Sequence, residues 1–367
     1  MPACPHRKVT ATMWPFSVGG PLVARLFPIL LALVLSLALP VRADVVPGLY
    51  AASVAVSDQG EAALAAGARE ALSEVIVKVS GSPAALDDPT VREALAGARK
   101  QVQKFSFRRD DNADTGLSAR FEFDSGYVSR LLAAAGLPLW TANRPRVLVW
   151  AAVESAGERR FVNPADTPEL AAELLDAFQR RGVPAQFPLF DLGDATALGL
   201  EDIWAQDMDA VLAASARYAL ADVLVGRAVE VSNGKWLGDW NYLSGLERRD
   251  RSLDAPTPPD FFAGGVGLVA EDMAARYAVA PTGENDGQVR LVVLGVQDFA
   301  DYAAIRNWLQ GLELISDASV ASIDGERTEF TLTALADADR LAQIIELNRR
   351  LQPLDPTGQR LEYQWLK

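Results

Sequence analysis

Residues able to carry protons, electrons or metals are unevenly placed in this chain. The one cysteine, Cys4, and the one histidine, His6, both fall within its first seven residues. A cleaved leader would carry both away, leaving no thiolate, no Ser-His-Asp triad and none of the usual zinc ligands. Carboxylates remain, 48 Asp and Glu against 35 Lys and Arg. Two of them about 5 to 10 Å apart would serve glycoside hydrolysis, yet no local motif singles out a pair. Asp110, Asn112 and Asp114 resemble the start of a calcium loop. Gly116 comes one position late, however, and Phe121 stands where the bidentate Glu is needed, so a solvated hairpin tip is expected. Gly264, Gly265 and Gly267 lie in a helical pattern with no strand before them, which points to close packing rather than a phosphate cradle. No catalytic residue, cofactor or metal ligand is nominated.

The amino-terminal segment has the layout of an export signal. Arg7, Lys8 and Arg25 precede the apolar run Leu26 to Leu39, and no acidic residue comes before Asp44. Val41 and Ala43 are small residues placed for cleavage after Ala43. The run is broken by Pro28 and is shorter than the roughly 20 residues of a spanning helix. The expected product is periplasmic and touches the membrane only transiently, through this leader. Losing the leader deepens the net charge from −13 to about −17. Such a charge repels phosphate backbones, no run of like charges marks a basic patch, and nucleic-acid binding is not expected.

Binding candidates are then Arg144, Arg227, Trp236 and Trp240. Asn233-Gly234 suits a two-residue hairpin turn. In that register Val231 faces Trp236, Val229 faces Gly238, and Arg227 faces Trp240. Both indoles would lie on an apolar face with Val223 and Val225, opposite Glu230, Asp239 and Asn241. Two readings stay open: the tryptophans fill a core, or Arg227, Trp236 and Trp240 grip a ligand or peptide at a groove. Arg144 belongs to a W-x-x-N-R-P segment, Trp140 to Pro145, where Pro145 holds it extended. It bridges two domains or meets a partner.

The elements that position these residues form three small mixed α/β domains. Residues 44–141 read as strand, long helix, short helix, two strands and helix. Leu64, Ala68, Leu72, Val75 and Val79 share one helix face, and Gly81 closes it. Residues 142–279 begin with a buried strand, Val147 to Val153. A helix capped by Asp166 or Thr167, the strand AQFPLFDL, one helix over 200–220 with Trp204, Met208, Val211 and Leu212 along one stripe, the 223–243 hairpin and a last helix follow. Residues 280–287 read as a linker. Residues 288–367 follow the order βαββαβ of the ferredoxin-like split motif, with Asp298 capping its first helix and an Asp324-Gly325 hairpin tip.

Three stretches resemble a proteobacterial envelope family known as domain of unknown function 2066. They are GLPLWTANRPRVLVW (136–150), LVAEDMAARYAV (268–279) and VRLVVLGVQDFADYAAIRNWLQGL (289–312). The middle segment is similar in architecture to the amino-terminal domain of the Tol translocation protein TolB and its relatives. The A-R-x-A-L helix at 68–72 is similar to a domain of flagellar and outer-membrane accessory proteins. The resemblance implies an exported protein and supplies no activity. The expected function is a non-enzymatic periplasmic scaffold or adaptor that binds an envelope protein. The alternatives are a carboxylate-dependent hydrolase of wall glycan and a small-ligand-binding module.

Overall fold

The structure is a computed structural model that describes residues 43–109, 116–280, 288–334, 336–347, 350–354 and 361–366. The leader, the hairpin tip at 110–115 and the linker from 281 to 287 lie outside the described residues.

The chain opens with β1 (Ala43–Val45) and β2 (Ala51–Ala55), followed by α1 (Glu61–Ser80) and α2 (Pro89–Ala96). β3 (Val102–Arg109), β4 (Leu117–Phe123) and α3 (Ser125–Ala134) complete the first segment. Asp88 and Asp124 accept the first free N–H groups of α2 and α3, which fixes where each helix starts. The sheet order is β2-β4-β3, all antiparallel. One face packs on the predicted stripe of α1, whose five apolar positions are all buried. Gly81 ends α1 in the left-handed conformation, φ 80°.

β5 (Asn143–Pro145), carrying Arg144, pairs with β1. β6 (Val147–Ser155), β7 (Glu158–Phe161), α4 (Pro168–Arg181) and β8 (Ala185–Gln186) follow. Three short helices come next, α5 (Leu192–Ala197), α6 (Leu200–Ala205) and α7 (Met208–Ser215). The segment closes with β9 (Asp222–Glu230), β10 (Trp236–Ser244), β11 (Glu247–Ala255) and α8 (Pro258–Tyr277). The sheet order is β11-β10-β9-β6-β7, with β8 beside the start of β6. β6 is buried on both faces. Val147, Val149, Ala151 and Val153 join the core with residues of α4 and α8, while Leu148, Trp150 and Ala152 join the core with α6 and α7.

Two expectations are corrected here, and one strand was missed. The strand expected at AQFPLFDL shrinks to Ala185–Gln186, and Phe190 turns the chain at φ 52°. The single helix expected over 200–220 is broken: Gln206 is left-handed (φ 57°), and Asp207 caps a new helix by accepting the N–H of Ala210. Leu212 therefore leaves the stripe and is exposed, while Val211 stays buried. β11 was not expected at all, because its sequence, ERRDRSLDA, is charged on both sides as an edge strand tolerates.

The last segment holds β12 (Gln288–Leu294), α9 (Phe299–Gln310), β13 (Ile315–Asp324) and β14 (Arg327–Ala334). α10 (Ala338–Leu347), β15 (Leu351–Pro353) and β16 (Leu361–Trp365) follow. Asp298 caps α9 as expected. β14 lies antiparallel between β12 and β13, the split arrangement. The full order is β13-β14-β12-β16-β15. β15 extends the expected motif by one strand, so the chain reverses once more and β16 runs parallel to β12. The hairpin turn is Gly325-Glu326, one residue later than expected, since Asp324 pairs with Arg327. Among the described residues no helix is long and apolar enough to cross a membrane.

Candidate functional site

Arg144 is fully buried, and every N–H of its guanidinium is used. Nε donates to Thr141 O at 2.9 Å. Nη1 donates to Arg181 O at 3.1 Å and Gly182 O at 2.9 Å. Nη2 donates to Lys78 O at 2.7 Å and Trp140 O at 2.9 Å. These acceptors are no accident of packing. Lys78 O lies in the last turn of α1, and Arg181 O and Gly182 O close α4, where helices leave carbonyls unpaired and their dipoles are negative. One cation thus serves two helix ends. Both helices end in left-handed glycines, Gly81 and Gly182. A Cβ on Gly182 would stand 2.9 Å from Arg144 Nη1. Arg181 completes the junction by donating to Gly81 O at 2.8 Å, and the Trp140 N–H donates to Val79 O at 2.6 Å. The Arg144 guanidinium stacks 3.6 Å from the centre of the Trp140 ring.

Burial pulls the Arg144 guanidinium below the ordinary arginine value, and the nearby Glu313 and Tyr50 oppose that pull. Burial also raises Glu313 above the usual carboxylate value. Tyr50, the Ala142 N–H (donating at 2.9 Å) and Arg144 act against it without cancelling it. The Tyr50 hydroxyl sits beside Glu313 and Ser129 without a well-aligned hydrogen bond, and burial pushes it far above the phenol range.

Next to this junction lies a cleft of about 440 Å³. One wall is the segment Val46–Ser53 with the α1 residues Glu74 and Lys78; the other is α4 from Leu175 to Arg180 and the turn Gly182–Ala185. Arg120 and Arg146 also line it. Lys78 is buried, ion-paired with Glu74 at 2.7 Å, and donates to Ala51 O at 2.9 Å. Arg180 pairs with Asp176 at 2.7 Å.

Residues 43–141 match a domain of unknown function, DUF8605. No curated protein and no solved structure matches the chain. The DUF8605 segment supplies one wall of the cleft and three of the five carbonyls on Arg144, those of Lys78, Trp140 and Thr141. Arg144 itself lies just beyond it, and the other two carbonyls, those of Arg181 and Gly182, come from the end of α4.

The other candidates sit elsewhere. The hairpin loop has five residues, Val231 to Lys235, closed by the Val231 N–H to Lys235 O at 2.9 Å. Trp236 consequently pairs with Glu230, and Trp240 with Gly226. This one-residue slip from the expected register turns every side chain of β9 to the other face. Gly226 explains it: a Cβ there would stand 2.2 Å from the Trp240 ring, so neither valine nor arginine fits beneath the indole. Gly265 of α8 closes on the same ring from the other side, 2.4 Å from its own would-be Cβ. Both tryptophans are buried in the core with Phe261 and Phe262, and Trp240 Nε1 donates to Phe261 O at 3.1 Å. Arg227 is on the opposite face, away from the indoles. It pairs with Asp239 at 2.9 Å and donates to Trp204 O. Ala43, expected at the cleavage point, pairs with Pro145 in the β1–β5 ladder.

The lining of the cleft was missed in the sequence. The absence of any run of like charges hid a predominantly basic lining assembled from Lys78, Arg120, Arg146 and Arg180, which are far apart in the chain. One signal was present: Lys78 interrupts the apolar VIVKVSG, where a lone lysine needs a buried partner. Among the described residues no group of three or more His, Cys, Asp or Glu is placed to hold a metal.

Proposed function

We propose that the protein is an exported, non-catalytic adaptor that works in the periplasm and holds an envelope protein in the cleft between β2 and α4. The observation that carries this reading is the Arg144 junction. By joining the ends of α1 and α4 it fixes both walls of the cleft, so a partner finds the groove already shaped and binding entails little reordering. The leader-like segment and the resemblance to an envelope family support the location. Photo-crosslinking in living cells tests the reading. A probe at Leu175, an exposed residue of the α4 wall, is expected to give one discrete adduct that purified partner reproduces. A probe at the exposed Leu246, between β10 and β11, is expected to give none. Equal labelling from both positions, or recovery of the protein in the cytosolic fraction, would remove the proposal.

A further inference from the structure

β2 is an edge strand, paired with β4 and, among the described residues, with no strand on its other side. The hydrogen-bond pattern shows which of its groups face that open edge. The Val56 N–H donates to Leu117 O, and the Phe123 N–H donates to Tyr50 O. In an antiparallel pair such bonds recur at every second residue. The even-numbered residues therefore bond β4, and Ala51, Ser53 and Ala55 turn their N–H and C=O outward. Ala51 is closed off, its N–H given to Gly48 O and its carbonyl to Lys78. Ser53 and Ala55 are exposed, and neither has a further backbone partner among the described residues. Ser53 lines the cleft.

Basic side chains predominate at this edge, although Glu122 shares the face and lies 3.5 Å from Arg120. Arg120, directly opposite Ser53 on β4, shares its face, as do Lys104 and Arg108 of β3. Arg146 and Arg180 stand in the cleft as well. Four basic side chains against two acidic ones line it, in a chain whose net charge is −13. We infer that the open edge of β2 receives an extended, acid-bearing peptide segment, which adds to the sheet as a further strand with its carboxylates toward Arg120 and Arg146. This rests on the adaptor reading and names how its partner is held. Main-chain amides repeating every two residues match a strand edge. A nucleic acid or a glycan has no such repeat, which is why the occupant is a peptide.

The test is fluorescence anisotropy with purified protein and a labelled peptide of alternating Asp and Val. Saturable binding is expected, with about tenfold weaker affinity for the double variant Arg120→Glu, Arg146→Glu. The same peptide with Lys in place of Asp should not bind. N-methylation of alternate residues distinguishes the edge directly without touching the protein: one phase should abolish binding and the other preserve it. A Ser53→Pro variant, checked for an unchanged melting curve, should also lose binding. Equal affinity for the Asp and Lys peptides, for both methylation phases, or for single-stranded DNA of similar length would overturn the inference, as would no binding at all. Should the Leu175 adduct persist while the peptides fail, this inference falls and the adaptor reading stands. If both fail, both fall.

Discussion

Two arginines drew notice in the sequence, and the junction around Arg144 contrasts with the hairpin around Arg227. Arg144 has no exposure and five backbone acceptors. Arg227 keeps about a third of its side chain in water and bonds one carboxylate and one carbonyl. Carbonyls at helix ends cannot move away or take up a proton, so a cation placed among them is locked. A carboxylate on a strand face can find water instead. The same residue type is thus structural cement in one region and a modest surface tie in the other.

The largest effect is expected at Arg144. Arg144→Ala would orphan five carbonyls, three of them at two helix ends, and cost about 3–5 kcal/mol, read from urea unfolding. Arg144→Lys should recover little, because an ammonium has three donors and cannot reach acceptors spread around a planar fork. If Lys proved as good as Arg, the junction would be a matter of charge alone, and the contrast with Arg227 would lose its basis.

Helix and strand periodicity made most of the architecture legible. The α1 stripe, the doubly buried β6 and the caps at Asp298 and Gly81 all followed from local pattern, because one residue and its near neighbours decide them. What failed depended on distant atoms. The hairpin register was decided by Trp240 lying between Gly226 and Gly265, which Asn233-Gly234 could not reveal. β11 hid because an edge strand has no apolar alternation to show. The cleft hid because its basic lining is drawn from residues as far apart as Lys78 and Arg180. W-x-x-N-R-P did mark the junction, although no residue in it announces which carbonyls Arg144 reaches.

The hairpin offers the next largest effect. Gly226→Ala would drive a methyl into the Trp240 ring and cost about 1–3 kcal/mol. Combining it with Trp240→Leu should cost less than the sum of the two single changes, since the smaller side chain vacates the space. A strictly additive double variant would mean that the indole does not set the register.

Acidity separates the two regions more finely. At the junction, the folded value of Glu313 is raised by burial. The folded state then holds this proton more tightly than the unfolded chain. The resulting stability is full below about pH 4.3, the ordinary glutamate value, and is lost as pH climbs through the folded value. Glu313→Gln is accordingly expected to be more stable than the native protein at pH 7, with the gain vanishing toward pH 4. A gain that grew on acidification would contradict the burial of Glu313.

The smallest effect belongs to Arg227, and its pH dependence has the opposite sign. Burial pushes Asp239 upward, but hydrogen bonds from Ser252 and Arg227 override it and leave the carboxyl below its usual value. A depressed folded value contributes stability above about pH 3.9 and loses it as pH falls through that range. Half-exposed ion pairs contribute about 0.2–1 kcal/mol, so Arg227→Ala should cost no more than that at pH 7. The difference between variant and native protein should fade on acidification, whereas the difference made by Glu313→Gln shrinks from the other direction, as a gain. Unfolding curves make the comparison, those of Glu313→Gln at pH 7 and near pH 4, and those of Arg227→Ala at pH 7 and well below about pH 3.9. Were Arg227→Ala as damaging as Arg144→Ala, a single well-placed carboxylate would equal five buried backbone carbonyls. The division between cement and surface tie would then have to be abandoned.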